Sequence, residues 1–117
     1  MITLAPIVCT EGEASDQRMT YSTNGVGFDF TGWTGTWVIY RRGSVVISGT
    51  MDLQVDGDMI WAMTVPQIAL IAQEDQSRGR TLPDTYWQGV ATNGTTTLVF
   101  RAAVTVIRGL HYPTTLI

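Results

Sequence analysis

At 117 residues, with 44% hydrophobic and only 15% charged side chains, the chain is long enough for one domain with its own core and needs no covalent or metal staple. A net charge of −3, with seven basic residues, leaves too little positive surface to track a phosphate backbone, and no stretch has the length of a membrane span. Neither nucleic acid nor a membrane is an expected partner. One cysteine, Cys9, excludes an internal disulfide, and one cysteine with one histidine cannot complete a zinc site.

In chain order, Ile2–Val8 is short and apolar and contains Pro6, which cannot donate to a ladder. It reads equally as an extended arm and as the domain's own first strand. It lacks the basic and long apolar regions of a secretory signal, so the protein is expected to remain in the cytoplasm until it is assembled. Thr10–Asp16 reads as a polar loop. Gln17–Thr23 alternates, with Met19 and Tyr21 on one face, and Asn24-Gly25 marks a turn. Phe28 and Phe30 share a face before Thr31–Gly35 bends the chain.

Thr36–Arg42 is a strong strand, with Trp37, Ile39 and Arg41 on one side. Arg42-Gly43-Ser44 turns it into Val45–Val55, where Gly49 predicts an irregularity. Asp56-Gly57-Asp58 is the next tight turn, before Met59–Val65. Pro66 then suits the first turn of a helix, and Ile68, Ile71 and Ala72 have helical spacing, which predicts a helix over Pro66–Gln73, extendable to Gln76. Ser77–Asp84 reads as a loop. Thr85–Thr92, the Asn93-Gly94 turn and Thr96–Arg108 form a last hairpin, with Leu98, Phe100, Ala102, Val104 and Val106 as its inward stripe. The tail Gly109–Ile117 is apolar and carries Pro113. Such regular alternation predicts an all-β fold: one antiparallel β-sandwich domain over residues 1–117 with one short helix near 66–73.

No catalytic signature is placed on that scaffold. The lone His111 lies in the tail, and no serine stands in a Gly-x-Ser-x-Gly elbow. Asp52, Asp56 and Asp58 lack the distal glutamate of a calcium loop, and a hairpin turn accounts for the last two. Glu11, Glu13 and Asp16 read as a solvated acidic loop. Trp33, Trp37, Trp61 and Trp87 suit either core or interface, or a stacking platform for a sugar. Tyr86 opens a penultimate strand, where sandwiches often place a corner-tying tyrosine. No enzyme, cofactor or metal is therefore expected. The low charge means that much of the surface is Thr, Gln, Ser and Gly, or else is covered by another protein, and the second option hints at assembly.

The order of elements carries a resemblance. Phe28-Asp29-Phe30-Thr31-Gly32-Trp33 leads into a strand and a hairpin at Gly43. The Asp56-Gly57-Asp58 turn follows, then a strand closing into Val65-Pro66-Gln67-Ile68-Ala69-Leu70, then Thr85-Tyr86-Trp87, Asn93-Gly94 and Val104-Thr105-Val106. Over residues 17–108 this resembles the immunoglobulin-like domains of tailed-phage virion proteins. Among them it is similar to the N-terminal domain of baseplate upper proteins and to tail, fibre-attachment and head-decoration proteins. The loop Gln73–Asp84, and tryptophan at 61 and 87, depart from the family's usual pattern. The resemblance implies a non-enzymatic virion component of tail or baseplate, with other virion proteins and copies of itself as partners. Head decoration and a glycan- or host-surface-binding module are the alternatives. The expected contact residues are Ile2, Leu4 and Ile7 in the first segment, Trp33, Trp61 and Trp87, and Leu110, Tyr112 and Leu116 in the tail.

Overall fold

Alternation of apolar and polar side chains decides the strands, and glycine decides most of the turns between them. The computed structural model describes residues 1–72 and 80–107. Strands β1 (Ile2–Thr3), β2 (Ile7–Thr10) and β3 (Ser15–Thr20) come first, then a small hairpin of β4 (Ser22–Thr23) and β5 (Val26–Gly27). β6 (Thr34–Arg41), β7 (Ser44–Leu53) and β8 (Asp58–Met63) form a meander. Helix α1 (Val65–Ala72) follows, and β9 (Arg80–Thr92) with β10 (Thr97–Ile107) makes the last hairpin.

The sheet runs β1-β10-β9-β6-β7-β8-β3, with β2 also paired to β10. It curls over the core because β7 changes partner along its length. Gly35 to Arg41 of β6 pair with the first part of β7, whereas Asp52 and Leu53 pair with Ile60 and Met59 of β8. Every other described pairing is antiparallel, but β1 and β2 run parallel to β10, Ile2 opposite Phe100 and Ile7 opposite Val104. This sets a limit on the expected antiparallel pattern. It also decides between arm and strand: Ile2–Val8 belongs to the domain's own sheet.

The inward stripes form one buried cluster: Ile7 and Cys9 from β2, Trp37 and Ile39 from β6, Met59, Trp61 and Met63 from β8, Trp87 and Ala91 from β9, and Phe100, Ala102, Val104 and Val106 from β10. Trp37 is accommodated by glycine on both neighbouring strands, since it stands opposite Gly49 of β7 and Gly89 of β9. A Cβ at Gly49 would lie 2.8 Å from the Trp37 indole, and one at Gly89 would lie 2.4 Å from the Trp87 ring. Gly49 is thus a close-approach glycine in a regular stretch. The irregularity expected there lies earlier: Ile39 faces Ile47 and Tyr40 faces Val45, so Val46 is the bulged residue.

Arg42 (φ 52°) and Gly43 (φ 82°) make the β6–β7 turn with both central residues left-handed, the geometry that matches strand twist. The helix begins with a reciprocal cap. The Thr64 hydroxyl accepts from the Gln67 N–H (3.3 Å), and the Gln67 side-chain oxygen accepts from the Thr64 N–H (2.8 Å). Ile68 and Ile71 bury the inner face of the helix. At its other end the Arg41 guanidinium donates to the Ile71 carbonyl, which suits a cation at a helix C-terminus.

β9 begins at Arg80, inside the segment Ser77–Asp84 expected to be a loop. Arg80 pairs with Val106 and Thr81 with Thr105, and the register then shifts so that Tyr86 meets Ala103. The extra residues include Asp84 at φ 57°, whose carbonyl accepts from the Arg42 N–H at 2.8 Å. The strand accommodates Pro83 because the ladder is interrupted there.

Candidate interaction surfaces

The expected contact residues divide by burial. Ile7 is fully buried in the core, and Ile2 and Leu4 are partly buried against it, so the first segment is already spent on the domain's own packing. Trp61 and Trp87 stack face to face with centroids 4.5 Å apart at 18°, and both are buried. Neither turns a ring face toward a sugar or a partner. Their indole N–H groups, with that of Trp37, have no hydrogen-bond partner among the described residues. Leaving such a donor buried costs roughly 1–3 kcal/mol, whereas burying an indole of about 200 Å² contributes roughly 5 kcal/mol, so burial wins. Leu110, Tyr112 and Leu116 lie outside the described residues.

Trp33 has a different setting. It is half-buried at the end of an aromatic nest, its ring edge-on to Phe28 at 5.3 Å and to Phe30 at 5.8 Å. Tyr21 joins the nest and meets the buried Phe100 at 5.3 Å and 77°. Asp29 shapes the bend, accepting from both the N–H (2.9 Å) and the hydroxyl (2.6 Å) of Thr31, and these bonds hold its carboxyl below the usual range.

The outward face of β10, β9, β6 and β7 carries a polar-aromatic ladder. Tyr40 and Tyr86 stack at 5.3 Å, the Arg101 guanidinium lies 4.2 Å over the Tyr86 ring, and it also donates to Gln88 at 3.0 Å. Tyr86 is therefore a mid-strand surface residue, which corrects its expected corner-tying role. Val8 and Val45, exposed on β2 and β7, extend this face with apolar surface.

The acidic turn is committed to structure. The Asp56 carboxylate accepts from the Asp58 N–H at 3.1 Å. Asp58 is nearly buried, accepts from the Thr20 hydroxyl at 2.6 Å and pairs with Arg18 at 3.3 Å, fastening β3 to the β7–β8 turn. Nothing in the sequence marked Arg18 or Thr20 as its partners, since their contact depends on the register of β3 against β8. Where β7 departs from β8, a cleft of about 350 Å³ opens, lined in part by Asp16, Asp52 and Trp61. Among the described residues no group of three or more His, Cys, Asp or Glu stands close enough to share a cation, and no described helix is long and apolar enough to cross a membrane.

These features define an all-β, immunoglobulin-like sandwich. Among solved structures the chain is similar to the N-terminal domain of phage TP901-1 ORF48, with 12% identity, 92% of this chain and 94% of that one covered, and a TM-score of 0.53. It also matches the titin M3 domain at 17% identity, with 92% and 93% covered and a TM-score of 0.45. No family model and no curated protein matches the chain.

Proposed function

We propose that the chain is a non-enzymatic structural component of a bacteriophage virion, an adaptor joining parts of the tail or baseplate. The observation that carries this reading is its fold, which it has in common with a phage protein domain over nearly the whole of both chains. The order of elements from Phe28 to Val106 and the low charge support it, because a part held by shape complementarity to neighbours needs few charges.

The test is direct. Particles purified from a producing bacterial culture should contain this chain at a fixed molar ratio to the other virion proteins, read by quantitative mass spectrometry. Chain abundant in the lysate and absent from particles would overturn the reading. Separated heads and tails distinguish an adaptor from a head-decoration protein. A glycan-binding role draws no support from Trp61 and Trp87, whose rings face each other in the core. Tryptophan fluorescence should stay unchanged when sugars are added.

A further inference from the structure

We propose that the free edge of β3 pairs with the same edge of a second copy across a two-fold axis, giving one sheet that runs through both molecules. This inference stands whether or not the chain is a virion part.

β3 ends the described path of the sheet: β8 pairs with one side, and on the other no described strand makes a backbone ladder with it, although the Gln17 side-chain amide donates to the Val8 carbonyl of β2 at 3.0 Å. The Tyr21 N–H donates to the Gly57 carbonyl at 2.9 Å, continuing the register in which Thr20 faces Asp58. Backbone groups alternate sides along a strand, so odd-numbered residues bond to β8, while the N–H and C=O of Asp16, Arg18 and Thr20 point out from the edge. Proteins usually blunt such an edge with proline, a bulge or charged side chains. β3 has no proline, and its pairing to β8 runs from Ser15 to Thr20 without a shift; its charges are one of each sign, Asp16 and Arg18.

The side chains say which occupant fits. Asp16 and Arg18 stand exposed on the outer face, separated by the half-buried Gln17. In an antiparallel pair around a two-fold axis, residues on one face must meet residues on the same face, so the register moves in steps of two. Centred on Gln17, the pair sets Asp16 opposite Arg18 of the second copy, twice. Two of the neighbouring registers set Asp16 opposite Asp16 or Arg18 opposite Arg18. Directly opposed unlike charges stabilise a strand pair and like charges destabilise it. The edge therefore complements itself in one register and resists the two beside it. The same register brings the outward backbone groups of Asp16 and Arg18 together as hydrogen-bonded pairs. Arg18 can serve Asp58 and the second copy together, since its guanidinium carries several donors.

A six-residue edge buries less than a standard interface of roughly 1,600 Å², so the pair should be weak, and sedimentation velocity should be run from micromolar to submillimolar protein. Wild type should show a monomer–dimer equilibrium that high salt weakens. Asp16→Arg, which leaves the Arg18–Asp58 pair in place, should self-associate about ten-fold less or worse. Mixed with Arg18→Asp, itself monomeric, it should form a heterodimer, because the charges then alternate in sign across the edge. An unchanged dimer in Asp16→Arg, or a wild type that stays monomeric, would overturn the proposal. If Arg18→Asp does not fold, amide exchange of the wild type decides: the N–H groups of Asp16, Arg18 and Thr20 should become protected as concentration rises. Protection that is already complete at the lowest concentration would mean that the edge is covered within one chain, and exchange that stays fast throughout would mean that it is not covered at all.

Discussion

Trp37 shows how much one position depends on its neighbours. Its ring is buried because Gly49 and Gly89 flank it with no side chain of their own. Gly49→Ala would push a methyl group to 2.8 Å from the indole and should destabilise the fold by roughly 1–3 kcal/mol in urea unfolding. Cys9 makes a second residue-scale prediction. Burial raises its thiol from 9.0 to about 11, and the sulfur lies 3.8 Å from the Thr105 carbonyl, which can accept from it. Between those values the unfolded chain has released the proton and the native state keeps it. Stability is therefore fully present below pH 9 and falls as pH rises toward 11. Cys9→Ala should remove that part of the alkaline decline, measured as the difference between the two unfolding curves across pH. The native thiol should also react slowly with thiol reagents at neutral pH, as expected for a cysteine read as a small buried hydrophobe.

At the scale of elements, the turns were the most legible part. Asn24-Gly25, Arg42-Gly43 and Asn93-Gly94 each supply the left-handed backbone or side-chain acceptor that a tight turn needs, and these are local properties. The helix was legible from Pro66 and the spacing of Ile68 and Ile71, and the structure adds the Thr64–Gln67 cap. The beginning of β9 was not legible, because Gly79 and Pro83 signal a loop and only pairing with the end of β10 draws Arg80 and Thr81 into a strand. The first segment bears the clearest prediction. Ile7 is buried and lies against Val104, so Ile7→Ala should cost roughly 2–5 kcal/mol. Deleting residues 1–8 should accordingly lower the melting temperature, rather than weaken assembly alone. Phe100→Ala, in the centre of the β10 stripe and against Tyr21, should cost about 3–5 kcal/mol by the same measurement.

For the whole molecule, the question is which surfaces remain for partners once the core is built. Of the expected contact residues that are described, Ile7, Trp61 and Trp87 are buried in the core, and Ile2, Leu4 and Trp33 are partly buried against it. Among the described residues, what remains includes the Tyr40–Tyr86–Arg101 ladder with exposed Val8 and Val45, the half-buried Trp33, and the edge of β3 away from β8. If the ladder meets a virion neighbour, Tyr86→Ala should reduce incorporation into particles while changing stability less than Phe100→Ala does, read by mass spectrometry of particles and by thermal melting.

By itself the sequence determined the fold class, the strands of the central meander, the helix after Pro66 and the inward stripe of β10. Each follows from a period or a turn signal within a few residues. Tertiary structure alone decided that Ile2–Val8 lies parallel to β10, that Trp61 meets Trp87, that Arg41 reaches the helix end, and that Asp58 is held by Arg18 and Thr20. Those contacts join residues far apart in the chain. Strand order and register set them, and no local pattern encodes a register between strands that are not neighbours in sequence.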